Sequence, residues 1–185
     1  MKNFSWVKLA ITVSFWFNGK MSSDKKQVNN FAYIDGANLH RGIADLGWKL
    51  DYKRFRLWLT NKYQVKEAYL FLGLIAKYKD IYTYLQKVGF TIVFKEVTYD
   101  GNRKPKGNCD ADLVLQVARD TYENNFNKTV IVSSDGDYAS LIKFLQEKNK
   151  LLSILSPGNH CSILLKRTNA RITYLDRVRS KIDKK

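Results

Sequence analysis

Two cysteines, Cys109 and Cys161, and two histidines, His40 and His160, are all that the 185 residues contain. The cysteines are too few for a disulfide framework and match no zinc spacing, so ordinary reduced thiols are expected. Neither histidine stands where it would suggest a zinc site or a Ser/His or Cys/His pair, so both of those chemistries lack their residues. There is no internal repeat, no low-complexity tract, no glycine-rich phosphate loop and no DxDxT motif. Acidic residues are also scarce: 17 Asp and Glu face 32 Lys and Arg, a formal charge of +15. A field of that sign attracts polyanions, although it also serves plain solubility. The bases are spread along the chain and accompany no lipid-anchor signal, which argues against a membrane surface. Any hydrolytic chemistry is left to carboxylates.

Long hydrophobic runs are missing as well. The apolar stretch from Leu9 to Phe17 is too short to span a bilayer, Lys8 interrupts the larger apolar stretch to which it belongs, and no small-x-small cleavage site follows. It therefore resembles an export signal only loosely. The polar MSSDKKQVNN from Met21 reads as a flexible start. Residues 1–29 are expected to be an N-terminal extension, 30–176 one domain and 177–185 a basic tail, in a cytoplasmic protein. With 45% hydrophobic and 14% aromatic residues, one well-filled core is affordable.

From Phe31 onward, short apolar runs alternate with amphipathic ones, the pattern of an α/β sheet. Strands are expected at FAYI (31–34), VKEAYLFLG (65–73), FTIVFKEV (90–97), TVIVSS (129–134), LLSILS (151–156) and near Arg171 to Tyr174. Helices are expected after Gly36, with a stop at Gly47, from Asp51 as N-cap, and over 77–89 with a stop at Gly89. Further helices are expected from Asp110, from Gly136 and around Ser162 to Thr168. Residues 98–108, with Gly101, Pro105 and Gly107, read as a mobile loop.

Against so basic a background, the aspartates at strand ends stand out. In an open parallel sheet, sites form beyond the carboxyl ends of the strands. Asp35 and Asp135 each follow an apolar strand directly, and Asp110 opens the helix after the 98–108 loop. Asp137 lies two residues past Asp135, across Gly136, whose conformational freedom would let both carboxylates face one point. Each aspartate alone is as readily a cap or a turn residue. Four converging carboxylates repel one another unless a cation joins them, and carboxylate oxygens select hard ions such as Mg²⁺ or Mn²⁺. Asp112, on a different face from Asp110, is expected as an outer metal ligand. Asn38, Ser133 and Ser134 offer polar groups to a ligand or a substrate phosphate.

Three motifs carry a family resemblance: YIDGANL at 33–39, KGNCDADL at 106–113 and VSSDGDY at 132–138. In order and spacing they resemble the NYN domains, the LabA-like branch of the PIN-like nuclease superfamily, over about residues 31–175. The resemblance implies a Rossmann-like three-layer sandwich with a central, mostly parallel sheet. It also implies an acidic Mg²⁺ or Mn²⁺ site that cleaves RNA. Asp35 is similar to the family's first-strand aspartate, Asn38 to its polar companion, Asp110 to the central acid, and Asp135 and Asp137 to the later pair. Where relatives often carry another acid six positions after the central one, this chain has Gln116, which leaves one-metal and two-metal sites equally open.

The expected reaction is metal-dependent phosphodiester hydrolysis yielding a 5′-phosphate and a 3′-hydroxyl. Asp35, Asp110, Asp135 and Asp137 would hold the metal. Lys95, Arg103, Lys104 and Lys106 would guide the phosphate backbone, and Tyr99 and Tyr138 are candidates for base stacking. The alternative is a non-catalytic RNA-binding or regulatory module on the same fold. RNA is favoured over DNA by the resemblance alone. The oligomeric state is open, with a homodimer among the arrangements allowed.

Overall fold

The protein is described here by a computed structural model that covers residues 28–96, 98–99, 105–106 and 109–184, the last two short pieces before 109 by backbone only. The expected Arg103 and Lys104 lie outside the described residues, as do the side chains of Tyr99 and Lys106.

Strand β1 (Asn30–Asp35) is buried along its whole length. Its alternation feeds two cores at once. Ala32 and Ile34 face one cluster with Leu39, Ile43, Phe55 and Leu59, whereas Phe31 and Tyr33 face another with Leu113, Val117, Ile142 and Leu165. A strand buried on both faces belongs at the centre of a three-layer structure. Helix α1 (Gly36–Asp45) follows at once, then α2 (Tyr52–Tyr63), capped as expected by Asp51, whose carboxylate accepts the Arg54 amide at 3.0 Å. Next come β2 (Val65–Gly73), α3 (Lys79–Lys87) and β3 (Thr91–Lys95). The stops expected at Gly47 and Gly89 are present, with φ of +74° and +97°.

The predicted 98–108 loop contains a small antiparallel ladder, β4 (Thr98–Tyr99) with β5 (Pro105–Lys106), where the chain doubles back before α4 (Asp110–Tyr122). Strand β6 (Thr129–Val132) ends two residues sooner than the TVIVSS pattern suggests, because Ser133 and Ser134 turn out of the sheet. The rest is α5 (Ala139–Glu147), β7 (Leu151–Ser156), α6 (Ile163–Lys166), β8 (Ile172–Tyr174) and α7 (Arg179–Ile182).

The six long strands run in the order β3-β2-β1-β6-β7-β8, and every pair is parallel. The chain therefore winds outward from β1 in one direction, then returns to β6 and winds outward in the other. The crevice beyond the carboxyl ends of β1 and β6 is the switch point at which such sheets take ligands. Asp35 and Asp135 stand on its two sides.

The expected basic tail belongs to the domain. Ile182 of α7 is fully buried in the same cluster as Phe55 and Leu59, and the Lys184 amide donates to the Lys49 carbonyl at 2.8 Å. One apolar anchor among the bases was enough to dock it. No helix among the described residues is long and apolar enough to cross a membrane.

Candidate active site

Asp35 ends β1 and caps α1, its Oδ1 accepting the Asn38 amide at 2.9 Å. The helix must start against the sheet here, because a Cβ on Gly36 would come within 2.4 Å of Leu72 Cδ2 and 2.8 Å of the Phe71 carbonyl. The Asn38 side-chain oxygen then crosses the switch point and accepts from both the Ser134 amide (2.9 Å) and the Ser134 hydroxyl (3.0 Å). Ser133, fully buried, accepts the Asp135 amide at 3.1 Å, and Asp135 in turn accepts the Asp137 amide at 3.1 Å. Asn38, Ser133 and Ser134, expected to meet substrate, hold the turn that carries the two aspartates.

Gly136 also has a different purpose from the one expected. Its φ is not in the left-handed region; a Cβ there would meet Ser162 Oγ at 2.4 Å and Leu164 Cδ1 at 3.1 Å. Close packing of α6 on the turn requires the glycine.

The structure gathers Asp110, Asp135 and Asp137, each offering an oxygen within 4.8 Å of the others'. Asp137 is exposed and the other two are half-buried. Asp35, expected as a fourth ligand, stands behind this group. It is 8% exposed, and its Oδ2 lies 3.4 Å from the Tyr138 hydroxyl, which donates to Asp110 Oδ1 at 2.5 Å. Tyr138 is itself buried, so it cannot stack on a base; it bridges the carboxylates of Asp35 and Asp110. Burial, followed by the charge of Asp35, pushes its phenol far up, so it remains a donor at every physiological pH. Only the position of the tyrosine next to Asp137 hints at this bridge in the sequence.

Asp112 does not join the cluster either. It pairs with Lys95 Nζ at 2.8 Å, fastening the end of β3 to the start of α4, and this ion pair engages the ammonium expected to meet the phosphate backbone. Its proximity raises the Lys95 pKa. Gln116 faces away, its amide donating to Asp120 at 3.0 Å. Cys109, just before Asp110, is pushed up to about 11 by burial and then by the acids around it, so it is a neutral thiol at pH 7 and no nucleophile.

Burial holds the Asp35 carboxyl above its ordinary 3.8, and the charges of Asp110 and Asp135 add to this, against hydrogen bonds from the Asn38 amide and Tyr138. A raised folded-state value means that the unfolded chain ionises first as pH rises, so this group removes stability just above its ordinary value and through neutrality. Asp35→Asn keeps an oxygen for the Asn38 amide and discards the charge. We expect its melting temperature at pH 7, without divalent metal, to exceed that of the wild type by a few degrees, with the difference vanishing toward pH 3.5. Thermal denaturation across pH checks this.

Carboxylates grouped at a doubly wound switch point are half of the identification, and the sequence comparison supplies the other half: the family model of the NYN domain matches residues 31–176. The chain belongs to the NYN-domain family. As an NYN protein it is similar to the "Low amplitude and bright protein LabA" of Synechococcus elongatus, with 25% identity over 162 residues, covering 82% of this chain and 86% of LabA. Its fold is similar to the crystal structure of a protein of unknown function from Vibrio parahaemolyticus, with a TM-score of 0.70 and 19% identity, covering 89% of this chain and all of the other. At that identity the likeness concerns the fold alone. The NYN domain places this chain among nuclease-like folds, with an acidic cluster at the expected sheet edge.

Proposed function

We propose that this NYN protein is a metal-dependent ribonuclease. The observation that carries the reading is the approach of Asp110, Asp135 and Asp137 oxygens to within 4.8 Å of one another in a chain of charge +15. Three carboxylates at that separation repel one another, and hard oxygen donors of this kind suit Mg²⁺ or Mn²⁺. When bound, such an ion supplies positive charge against the scissile phosphate and makes an attacking water more acidic.

The protein's own residues divide the remaining work. Tyr138 donates to Oδ1 of Asp110 and so orients that carboxylate at the cluster. Ser133 and Asn38 fix the turn bearing Asp135. Asp137, the exposed member, is placed to orient the attacking water and take up its proton. The water oxygen bonds to phosphorus, the bond from phosphorus to the 3′-oxygen breaks, and the departing 3′-oxygen takes a proton from solvent water, so a 5′-phosphate and a 3′-hydroxyl result. Asp35 acts from behind through Tyr138. Arg103, Lys104 and Lys106 remain assigned to the phosphate backbone on the sequence alone.

The test is a cleavage screen of single-stranded RNA, structured RNA and DNA with Mg²⁺, Mn²⁺ or EDTA, with end-group analysis of the products. Metal-dependent RNA cleavage with 5′-phosphate ends is expected. RNA binding that survives EDTA, with no product in any metal, would favour the non-catalytic alternative.

A further inference from the structure

On the α1 side of β2, beginning at the residue after Asp35, lies a hollow of about 570 Å³ whose walls include Gly36, His40, Leu72, Tyr78, Ile81 and Tyr82. It adjoins a second hollow of about 660 Å³ that shares His40, Tyr52 and Ile81 and is bordered by Lys49 and Lys184. Together they form a groove that begins one residue from Asp35. The groove is apolar and open to solvent. Tyr78 is 38% exposed, Ile81 51%, Tyr84 44% and Leu74 48%, so the outer stripe of α3 and its approach is left uncovered.

The far wall is rigid. Tyr82 Oη accepts the Ile75 amide at 3.0 Å and donates to the Gly73 carbonyl at 3.1 Å, while its ring packs edge-on against Phe94 at 4.8 Å. The near wall carries charge: Lys77 Nζ sits 4.9 Å from the centre of the Tyr78 ring. Lys79 is also exposed, with Asp80 the one acid between it and Ile81.

The geometry points to a subsite for the unpaired bases of the strand being cut. This rests on the nuclease reading: Gly36, Leu72 and Gly73 in the groove wall stand at the carboxyl ends of β1 and β2, the same sheet edge at which Asp135 follows β6, so a strand whose phosphate reaches Asp135 can run along that edge into the groove. Aromatic and apolar walls accept the π-face of any base, and the lysines at the rim meet the accompanying phosphates. The groove therefore selects single strands over duplexes, whose bases are stacked away, with little preference for sequence.

The test measures binding of a fluorescent oligouridylate, an abasic strand of equal length and a duplex, to wild-type protein in EDTA so that cleavage does not intervene. The abasic strand and the duplex are expected to bind about tenfold more weakly than the oligouridylate, as is the oligouridylate to Tyr78→Ala/Ile81→Ala. Tyr78→Phe, which keeps the ring, is expected to bind as wild type. Both truncated side chains are largely outside the core, and an unchanged melting temperature confirms that the variant is folded. A 4-thiouridine strand irradiated on the wild-type protein should cross-link within residues 74–84. Equal binding of the abasic strand, or cross-links confined elsewhere, overturns the inference. So does a wild-type dimer that the double variant dissociates in sedimentation, which would assign the groove to a second copy. Base-dependent binding without cleavage in Mg²⁺ or Mn²⁺ leaves the groove standing and sinks the nuclease reading instead.

Discussion

Asp135→Asn is expected to reduce RNA cleavage by about three orders of magnitude or more, while the protein remains folded. The residue is the hub of the cluster. Its amide is fixed by Ser133, its Oδ1 accepts the Asp137 amide, and its carboxylate approaches both Asp110 and Asp137. Asparagine preserves the accepting oxygen, so the turn survives. What it removes is one negative charge from a site meant to hold a cation, and losses of electrostatic stabilisation at a reacting phosphate are typically a factor of about 10²–10³ for one group, with the missing metal adding to this. Removing like charge from a crowded acidic site also means that the variant's melting temperature without metal should not fall. Single-turnover cleavage together with thermal denaturation checks both halves. A variant that cuts at the wild-type rate would remove Asp135 from the chemistry.

The second large effect concerns stability. Asp120, near the far end of α4, is 3% exposed and carries no ion pair among the described residues. Three donors converge on it: the Tyr33 hydroxyl at 2.6 Å, the Asn125 amide at 2.9 Å and the Gln116 amide at 3.0 Å. Tyr33 is wholly buried in the middle of β1, so the hydroxyl has no water to turn to. Asp120→Ala strands that donor and weakens the hold on the other two, at a cost of about 3 kcal/mol, or roughly 6–12 °C in melting temperature for a domain of this size. Asp120→Asn keeps one acceptor for Tyr33 and is expected to lose less. Because ten residues of helix, about 15 Å, separate Asp120 from Asp110, the folded fraction of either variant should cleave at the wild-type rate. Chemical denaturation measures the first effect, and cleavage at a temperature well below the transition measures the second.

These two residues also show how far the sequence could be read. The strand at Phe31–Ile34, with Asp35 at its end, was legible because a short run of apolar residues closed by Asp-Gly marks a buried strand meeting a helix. The same logic places Asp135 after TVIVSS. Their meeting across β1 and β6 follows from the parallel order of the sheet, which the alternation of strands and helices implies. Side-chain pairings between distant elements were not legible. Nothing local to Tyr138 says that its hydroxyl joins Asp110 to Asp35, since that depends on how α4 is seated. The Lys95–Asp112 pair likewise needs the end of β3 and the start of α4 to be adjacent, and it claims two groups that the sequence suggested for substrate and metal. Gly136 read as a flexible link because its contact with Ser162 arises 26 residues later in the chain. The role of Asp120 is hidden for the same reason: an aspartate late in an amphipathic helix looks like a solvated residue until the register of Tyr33 against that helix is known.

The most direct trial of the acidic cluster is the cleavage of labelled RNA by protein stripped of metal, followed as Mn²⁺ is returned. A cation-filled site of Asp110, Asp135 and Asp137 predicts no cleavage at the start and a saturable rise as the ion binds. Cleavage that proceeds undiminished in the stripped protein would contradict it.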